Sequence, residues 1–241
     1  MRKLFIDKID NHKIIISGEE HKHIAYSLRM KKGDEITVCS QGIDYTAVIV
    51  SISKTETVAE VVGKARSVSE PDSDVTLFFG ALKGDKNDYI VQKCTELGVR
   101  NFVPFVSEFS SVSRDNIRTD RLNRIALEAS KQCGRGFVPP VQNVVSFNDL
   151  FDLLASFDTV VFPYEQEENA TFDEISKKSS LGKIAVVIGS EGGFSKSEAE
   201  KLREAAGLSI TLGERILRAD TACVAVVSVL MYSLGEWRRK I

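Results

Sequence analysis

The sequence predicts a two-part chain: a small β barrel over residues 1–70, then a larger α/β domain over 74–241 built on a mostly parallel sheet. Three observations predict it. The opening third reads as short β segments separated by turn signals. A polar stretch bearing Pro71 follows, and beyond it strands and helices alternate to the end. The 241 residues, 43% hydrophobic and 27% charged, suffice for a substantial core and exclude a disordered chain as the default.

The first part offers strands over 3–6, 13–17, 35–39, 45–53 and 58–64, with Gly33-Asp34 and Gln41-Gly42 as turns and one short helix within 19–28. Closing them into a barrel removes exposed strand edges. Between Ala65 and Asp74 the pattern lapses into Ser67, Ser69, Glu70, Pro71, Asp72 and Ser73, a linker composition. An apolar strand follows over 75–81. Asp85 is placed to cap a helix carrying Ile90, Val91, Cys94 and Leu97 on one face and stopping at Gly98. Further strands are expected over 101–106, near Val141, and over 159–163, 183–188 and 209–212. Helices are expected over 120–133, 147–154, 172–177, from Ser195 to Gly207, and over 220–237. Ser195 and Glu198 have capping-box spacing. Strands alternating with helices imply a sheet covered on both faces.

The charge balance, formally -2, excludes a protein that coats nucleic acid indiscriminately, since such affinity comes from neutralising phosphates. Local patches remain open. Arg114, Arg118, Arg121, Arg124, Lys131 and Arg135 crowd one segment, which reads either as an RNA-facing surface or as solvated helix faces. The four cysteines are scattered without a CxxC pair, and His21 and His23 sit two apart, so no metal site is expected; surface or RNA-contact histidines are the favoured reading. With no signal-peptide pattern and no apolar run long enough to span a membrane, a soluble cytoplasmic protein is expected.

Two segments could carry chemistry. The apolar run over 184–188 enters Gly189-Ser190-Glu191-Gly192-Gly193 and then a capped helix, a strand-turn-helix that brings backbone groups beside a strand end. It is neither GxGxxG nor a P-loop, and a merely tight turn is the alternative. The second runs from Leu212 to Ala222, where Arg215 and Arg218 flank two apolar residues and Asp220 or Thr221 can cap the last helix. Ligand or RNA contact, and surface pairing of these arginines with Glu214 or Asp220, both remain open.

The strings QKCTELGV (92–99), GSEGGFS (189–195) and LGERILRADTA (212–222), in this order, resemble the signature segments of the ribosomal RNA uridine-N3 methyltransferase family, within the knotted SPOUT class. LRMKKGD (28–34) and SKQCGRGFVPPV (130–141) support the resemblance, which thus spans most of the chain. Ser190 stands where the family usually has proline, Asp220 where it has glutamate, and Lys131 where it has an acidic residue.

The resemblance implies a C-terminal SPOUT α/β domain with a deep trefoil knot and a PUA-like N-terminal barrel. It implies S-adenosyl-L-methionine held by Phe162, Pro163 and Tyr164, by Ile188, Gly189, Glu191, Gly192 and Gly193, and by Leu212, Gly213, Ile216 and Leu217. Arg218 would position or stabilise the uracil, with Glu191 or Asp220 as proton acceptor. Arg2, Lys22, Arg29 and Lys32 on the barrel, with Arg114 and Arg135, are the expected RNA contacts. The implied partners are 16S ribosomal RNA, within the small subunit, and a second copy of the chain. Rival readings are a SPOUT methyltransferase acting on transfer RNA or another ribosomal position, and a noncatalytic ribosome-assembly factor. A nucleotide-dependent oxidoreductase is disfavoured by the missing dinucleotide fingerprint.

Overall fold

The computed structural model describes residues 3–6, 9, 12–176 and 182–238. It divides into two compact units: Met1–Glu70 with Ser130–Val138, and Pro71–Ala129 with Pro139–Ile241. The segment 130–138, expected in the second domain, thus belongs to the first unit.

The first unit is a five-stranded sheet in the order β1-β3-β4-β5-β2, formed by β1 (Leu4–Phe5), β2 (Lys13–Ser17), β3 (Glu35–Ser40), β4 (Ile43–Ile52) and β5 (Glu56–Arg66). β1 pairs with β3 in parallel and the other pairs are antiparallel. The alternation legible in the sequence sets the faces: Ile14 and Ile16 of β2 are buried while Ile15 between them is exposed. Gln41 and Gly42, both with positive φ, make the two-residue turn between β3 and β4, a conformation matched to strand twist. Register shifts at Thr46/Ala47 and Ile49/Ser51 bend β4 over the core. The expected barrel is therefore realised as a curled, half-closed sheet with β1 and β2 at its ends.

Helix α1 (Gly18–Lys22) continues as a wider π-type turn over His23–Ser27 and inserts Ile24 into this core. His21, three residues before Ile24, lies on the same inward face and is buried, its Nδ1 2.9 Å from the Thr57 hydroxyl. The expectation of a surface or RNA-contact histidine fails there.

The polar stretch after β5 is not a free linker. Ser67 and Glu70 are buried. Glu70 accepts hydrogen bonds from the backbone of Gly136 (2.8 Å) and Phe137 (3.1 Å) and from Arg135 Nε (3.3 Å) and Nη2 (2.9 Å). Beside it Lys3 reaches Asp44 and Ser67, each at 2.8 Å. Cys39 donates to Asp44 (2.8 Å); burial first, then this bond, pushes its thiol up to about 12, so it stays protonated. Arg135 is thus a buried structural cation and not a phosphate contact, because a guanidinium leaves water only against a carboxylate that satisfies it. Lys131 likewise pairs with Glu20.

The second unit carries a six-stranded, all-parallel sheet in the order β11-β9-β10-β6-β7-β8. Its strands are β6 (Asp74–Gly80), β7 (Asn101–Val106), β8 (Val145–Ser146), β9 (Thr159–Pro163), β10 (Lys183–Ile188) and β11 (Gly207–Ile210). The helices are α2 (Lys86–Glu96), α3 (Thr119–Cys133), α4 (Leu150–Leu154), α5 (Phe172–Ser176), α6 (Lys196–Glu204) and α7 (Ala219–Ser233). Central strands β6 and β10 are continuous apolar runs buried on both faces, as parallel strands require. On one side Phe105, Phe147, Phe162 and Phe194 pack ring against ring. α7 packs on α2, β10 and β6.

Several element ends differ from expectation, each for a local reason. Near Val141 there is a single bridge to Phe102, and the short strand falls at β8. α4 begins only at Leu150 because Ser146 and Asp149 bond reciprocally in a turn before it. The capping box of Ser195 and Glu198 starts α6, but Ala206 at φ 59°, not Gly207, makes the left-handed exit, and Gly207 opens β11. Asp85 precedes α2 without a side-chain cap; Asn87 instead binds the Leu82 backbone through both its amide atoms. Arg218, rather than Asp220 or Thr221, occupies the residue before α7.

Replacing Arg135 with methionine leaves Glu70 buried without its cation. Urea denaturation followed by circular dichroism is expected to show a loss of ~3–5 kcal/mol, and the double change Glu70→Leu/Arg135→Met a smaller one. A loss under ~1 kcal/mol for the single change contradicts the buried clamp.

Candidate active site

In a parallel sheet every strand ends at the same edge, so the order β11-β9-β10-β6 sets the turns after these four strands side by side. The sequence-predicted cofactor segments, 162–164, 188–193 and 212–217, are three of those turns. Their adjacency follows from strand order, which places β9 between β10 and β11 although it precedes both in the chain.

The turns approach through main chain. A Cβ on Gly80, at the end of β6, would lie 2.4 Å from the Ser190 nitrogen, and one on Gly189 would lie 2.9 Å from the Gly193 carbonyl carbon. Only glycine allows such contact. Ser190 and Gly193 close the turn after β10, the Gly193 amide donating to the Ser190 carbonyl at 2.9 Å. Gly192 lies against Phe109, in the loop after β7. The Ser190 hydroxyl is buried and has no hydrogen-bond partner among the described residues.

The predicted side chains divide. Phe162 and Ile188 are buried in the core, so they can offer a ligand only their backbone. Tyr164 is buried under the Arg203 guanidinium, 5.2 Å from the ring centre, and its amide donates to Ile210. Pro163, Leu212 and Leu217 are half-buried, Gly213 is exposed, and Ile216 stands out at 79% exposure, a large apolar side chain offered to solvent. Arg215 and Arg218 are exposed and form no ion pair among the described residues, so pairing with Glu214 or Asp220 does not occupy them. One carboxylate oxygen of Asp220, Oδ1, is buried without a partner in the first turn of α7.

Glu191 points toward the end of β6. It accepts from the Lys83 amide (3.2 Å), the Lys86 ammonium (3.1 Å) and the Ser111 hydroxyl (3.4 Å). Partial burial raises its pKa, but the Lys83 and Lys86 donors outweigh it, and the carboxyl sits below its ordinary value. It is therefore an anion at neutral pH and a weaker base than a free carboxylate. Lys83, Lys86 and Phe109 were missed by sequence reasoning. The signal for the first two was the strand-turn-helix pattern at Gly80 to Lys86, which repeats the arrangement recognised at Gly189.

The predicted RNA contacts fare unevenly. Arg2 lies outside the described residues. Lys22 is exposed but paired with Glu19 at 2.6 Å. Arg29, with φ 53°, and Lys32 are exposed, as is Arg114 at the start of a short 3-10 turn over Arg114–Asn116. Arg121 is engaged with Asp88, so the basic segment is not one continuous free surface. No cluster of potential metal ligands occurs among the described residues, and no helix of the described residues is long and apolar enough to cross a membrane.

Comparison with known proteins matches residues 69–231 to the RNA methyltransferase domain and residues 16–62 to the RNA methyltransferase PUA domain. The chain is 37% identical over 227 residues to ribosomal RNA small subunit methyltransferase E of Bacillus subtilis, covering 90% of this chain and 89% of that one. It is 32% identical over 228 residues to the protein of that name from Aquifex aeolicus, covering 90% and 93%. The Neisseria gonorrhoeae ribosomal RNA small subunit methyltransferase E, solved bound to S-adenosyl methionine, superposes with a TM-score of 0.84 at 26% identity, over 96% of this chain and 97% of that one. With a parallel sheet whose turns gather at one edge, and with these matches across both units, the chain belongs to the RNA methyltransferase family of ribosomal RNA small subunit methyltransferase E.

Proposed function

We propose that this protein transfers the methyl group of S-adenosyl-L-methionine to N3 of a uridine in 16S ribosomal RNA of the small subunit. The observation that carries the reading is the row of main-chain turns after β9, β10 and β11, set on neighbouring strands at one sheet edge, with the turn after β10 pressed against the end of β6 at Gly80 and closed on itself at Gly189. Adenine and a methionine tail need a narrow apolar slot with edge hydrogen bonds, which amides and carbonyls in crowded turns supply. The residues present fit that group: the unpartnered Ser190 hydroxyl offers a further polar contact, and half-buried Leu212 and Leu217 offer apolar ones. Phe162, Pro163, Tyr164, Ile188, Gly189, Gly192, Gly193 and Gly213 would contribute backbone, with Ile216 closing over it. When bound, S-adenosylmethionine supplies an electrophilic methyl carbon.

Uracil N3 is a poor nucleophile until it loses its proton, and it lies on the pairing edge, so the base must be unpaired or extruded. Arg218, exposed and without an ion-pair partner among the described residues, is assigned to stabilise the uracil anion. Asp220, with its unpartnered oxygen, is assigned as proton acceptor ahead of Glu191, whose donors make it a weak base and suit it to anchoring the turn after β10 to the start of α2. The domain division is read as an RNA-binding module over 1–70, to which the segment 130–138 adds, and a catalytic domain formed by the rest of 74–241, with Lys22, Arg29, Lys32 and Arg114 on phosphates. A threaded C-terminus accords with α7 returning from edge strand β11 to pack on central β10 and β6. Exposed Tyr89 of α2 and Val229 and Tyr232 of α7 support a homodimer, and the same reading places the enzyme in the cytoplasm, where ribosomal RNA is its substrate.

The direct test incubates protein and labelled cofactor with small-subunit particles lacking the modification and maps methylated nucleosides by mass spectrometry. Uridine methylated at N3 is expected; methylation of another atom or of transfer RNA favours a different SPOUT activity, and absence of cofactor binding by titration calorimetry favours an assembly factor. Arg218→Ala is expected to lower kcat by roughly 100-fold or more while cofactor affinity changes by less than about 3-fold. Equal loss of both moves Arg218 into the cofactor site.

A further inference from the structure

The turn after β9, residues 164–170, presents Glu165, Gln166, Glu168 and Asn169 to solvent and has no apolar side chain between Tyr164 and Ala170. Nothing in its composition explains a fixed shape. Its two ends are stitched to β11 and the residue after it: the Tyr164 amide donates to the Ile210 carbonyl at 3.0 Å, and the Thr211 amide donates to the Ala170 carbonyl at 2.8 Å. Its middle is held by one carboxylate. Glu167 accepts from the amides of Asn169 and Ala170, both at 3.3 Å, from Arg203 Nη2 of α6 at 3.3 Å, and from the Ser209 hydroxyl of β11. The same Arg203 guanidinium covers the Tyr164 ring.

We infer that Glu167 is a positioning residue for the cofactor site: it locks the turn after β9 onto β11 and α6, and so sets the backbone that this turn offers to the methyl donor. This rests on the cofactor reading given above. The Ser209 hydrogen bond, most of all, holds the Glu167 carboxyl down at about 2 against the opposing effect of desolvation, with the Asn169 and Ala170 amides and Arg203 adding to it. The latch is therefore charged at any working pH. Two of the three proposed cofactor turns depend on it, because the turn after β11 begins at Thr211, the residue bonded to Ala170.

Cofactor affinity of the full-length protein, measured by titration calorimetry, is expected to fall about tenfold or more in Glu167→Ala, equivalent to ~1.4 kcal/mol. KM for the cofactor should rise in step, while kcat at saturating cofactor and KM for RNA stay within about 3-fold, a split that general destabilisation does not produce. Glu167→Gln, which keeps the acceptor oxygen without the charge, should fall between. If the alanine variant does not fold, Ser209→Ala removes one donor from outside the turn and is expected to weaken cofactor binding about 2–5-fold. Wild-type affinity in Glu167→Ala, or in Ser209→Ala where the former does not fold, overturns the inference alone. A wild-type protein that binds no S-adenosylmethionine overturns the functional reading and this inference with it.

Discussion

β6 and β10 lie side by side in parallel, paired from Lys183↔Asp74 to Ile188↔Phe79, and the residue that follows this last pair is a glycine in both segments, Gly80 and Gly189. Because Gly80 has no Cβ, the chain turning out of β10 can pass with its Ser190 nitrogen 2.4 Å from where that atom would be. From this approach the shape of the turn after β10 follows. The turn after β10 is held tightly enough for Ser190 and Gly193 to bridge, and Glu191 is carried to the Lys83 amide and Lys86 ammonium. A site made of main chain is insensitive to most side-chain substitution along its walls. It depends instead on strand order and on a few positions where bulk is forbidden.

Strand order was the part least legible in the sequence. Periodicity located β2, β9 and β10 with their full bounds and the capping box located the start of α6, because these signals are local: alternation, an apolar run, and a serine three residues before a glutamate. Nothing local says that β9 lies between β10 and β11, since that order is decided by which hydrophobic faces pack together. Side-chain fates were hidden for the same reason. Arg135 read as one cation among many in a basic stretch, and its burial against Glu70, 65 positions earlier, required a contact that no spacing announces. His21 was misplaced because its inward face is defined by Ile24, itself identified as core only once the sheet curls over it.

The polar groups sort into two kinds with different consequences. Glu70 with Arg135, Lys3 with Asp44, and Lys131 with Glu20 are spent within the first unit, where satisfied buried charge fixes one arrangement of backbone. Arg215 and Arg218 are exposed beside the proposed cofactor turns and form no ion pair among the described residues, and Asp220 keeps one buried oxygen without a partner. Of these, the two arginines are free to meet an anionic partner, and the buried Asp220 oxygen is a polar group that a bound ligand can satisfy.

Amide hydrogen exchange read by mass spectrometry, with and without saturating S-adenosylmethionine, interrogates the backbone groups themselves. Slowed exchange concentrated in 162–167, 189–193 and 211–217 is the outcome required if main chain from three adjacent turns grips the methyl donor. Protection centred elsewhere, on 81–86 and α2 or within the first unit, with those three segments unchanged, would contradict it.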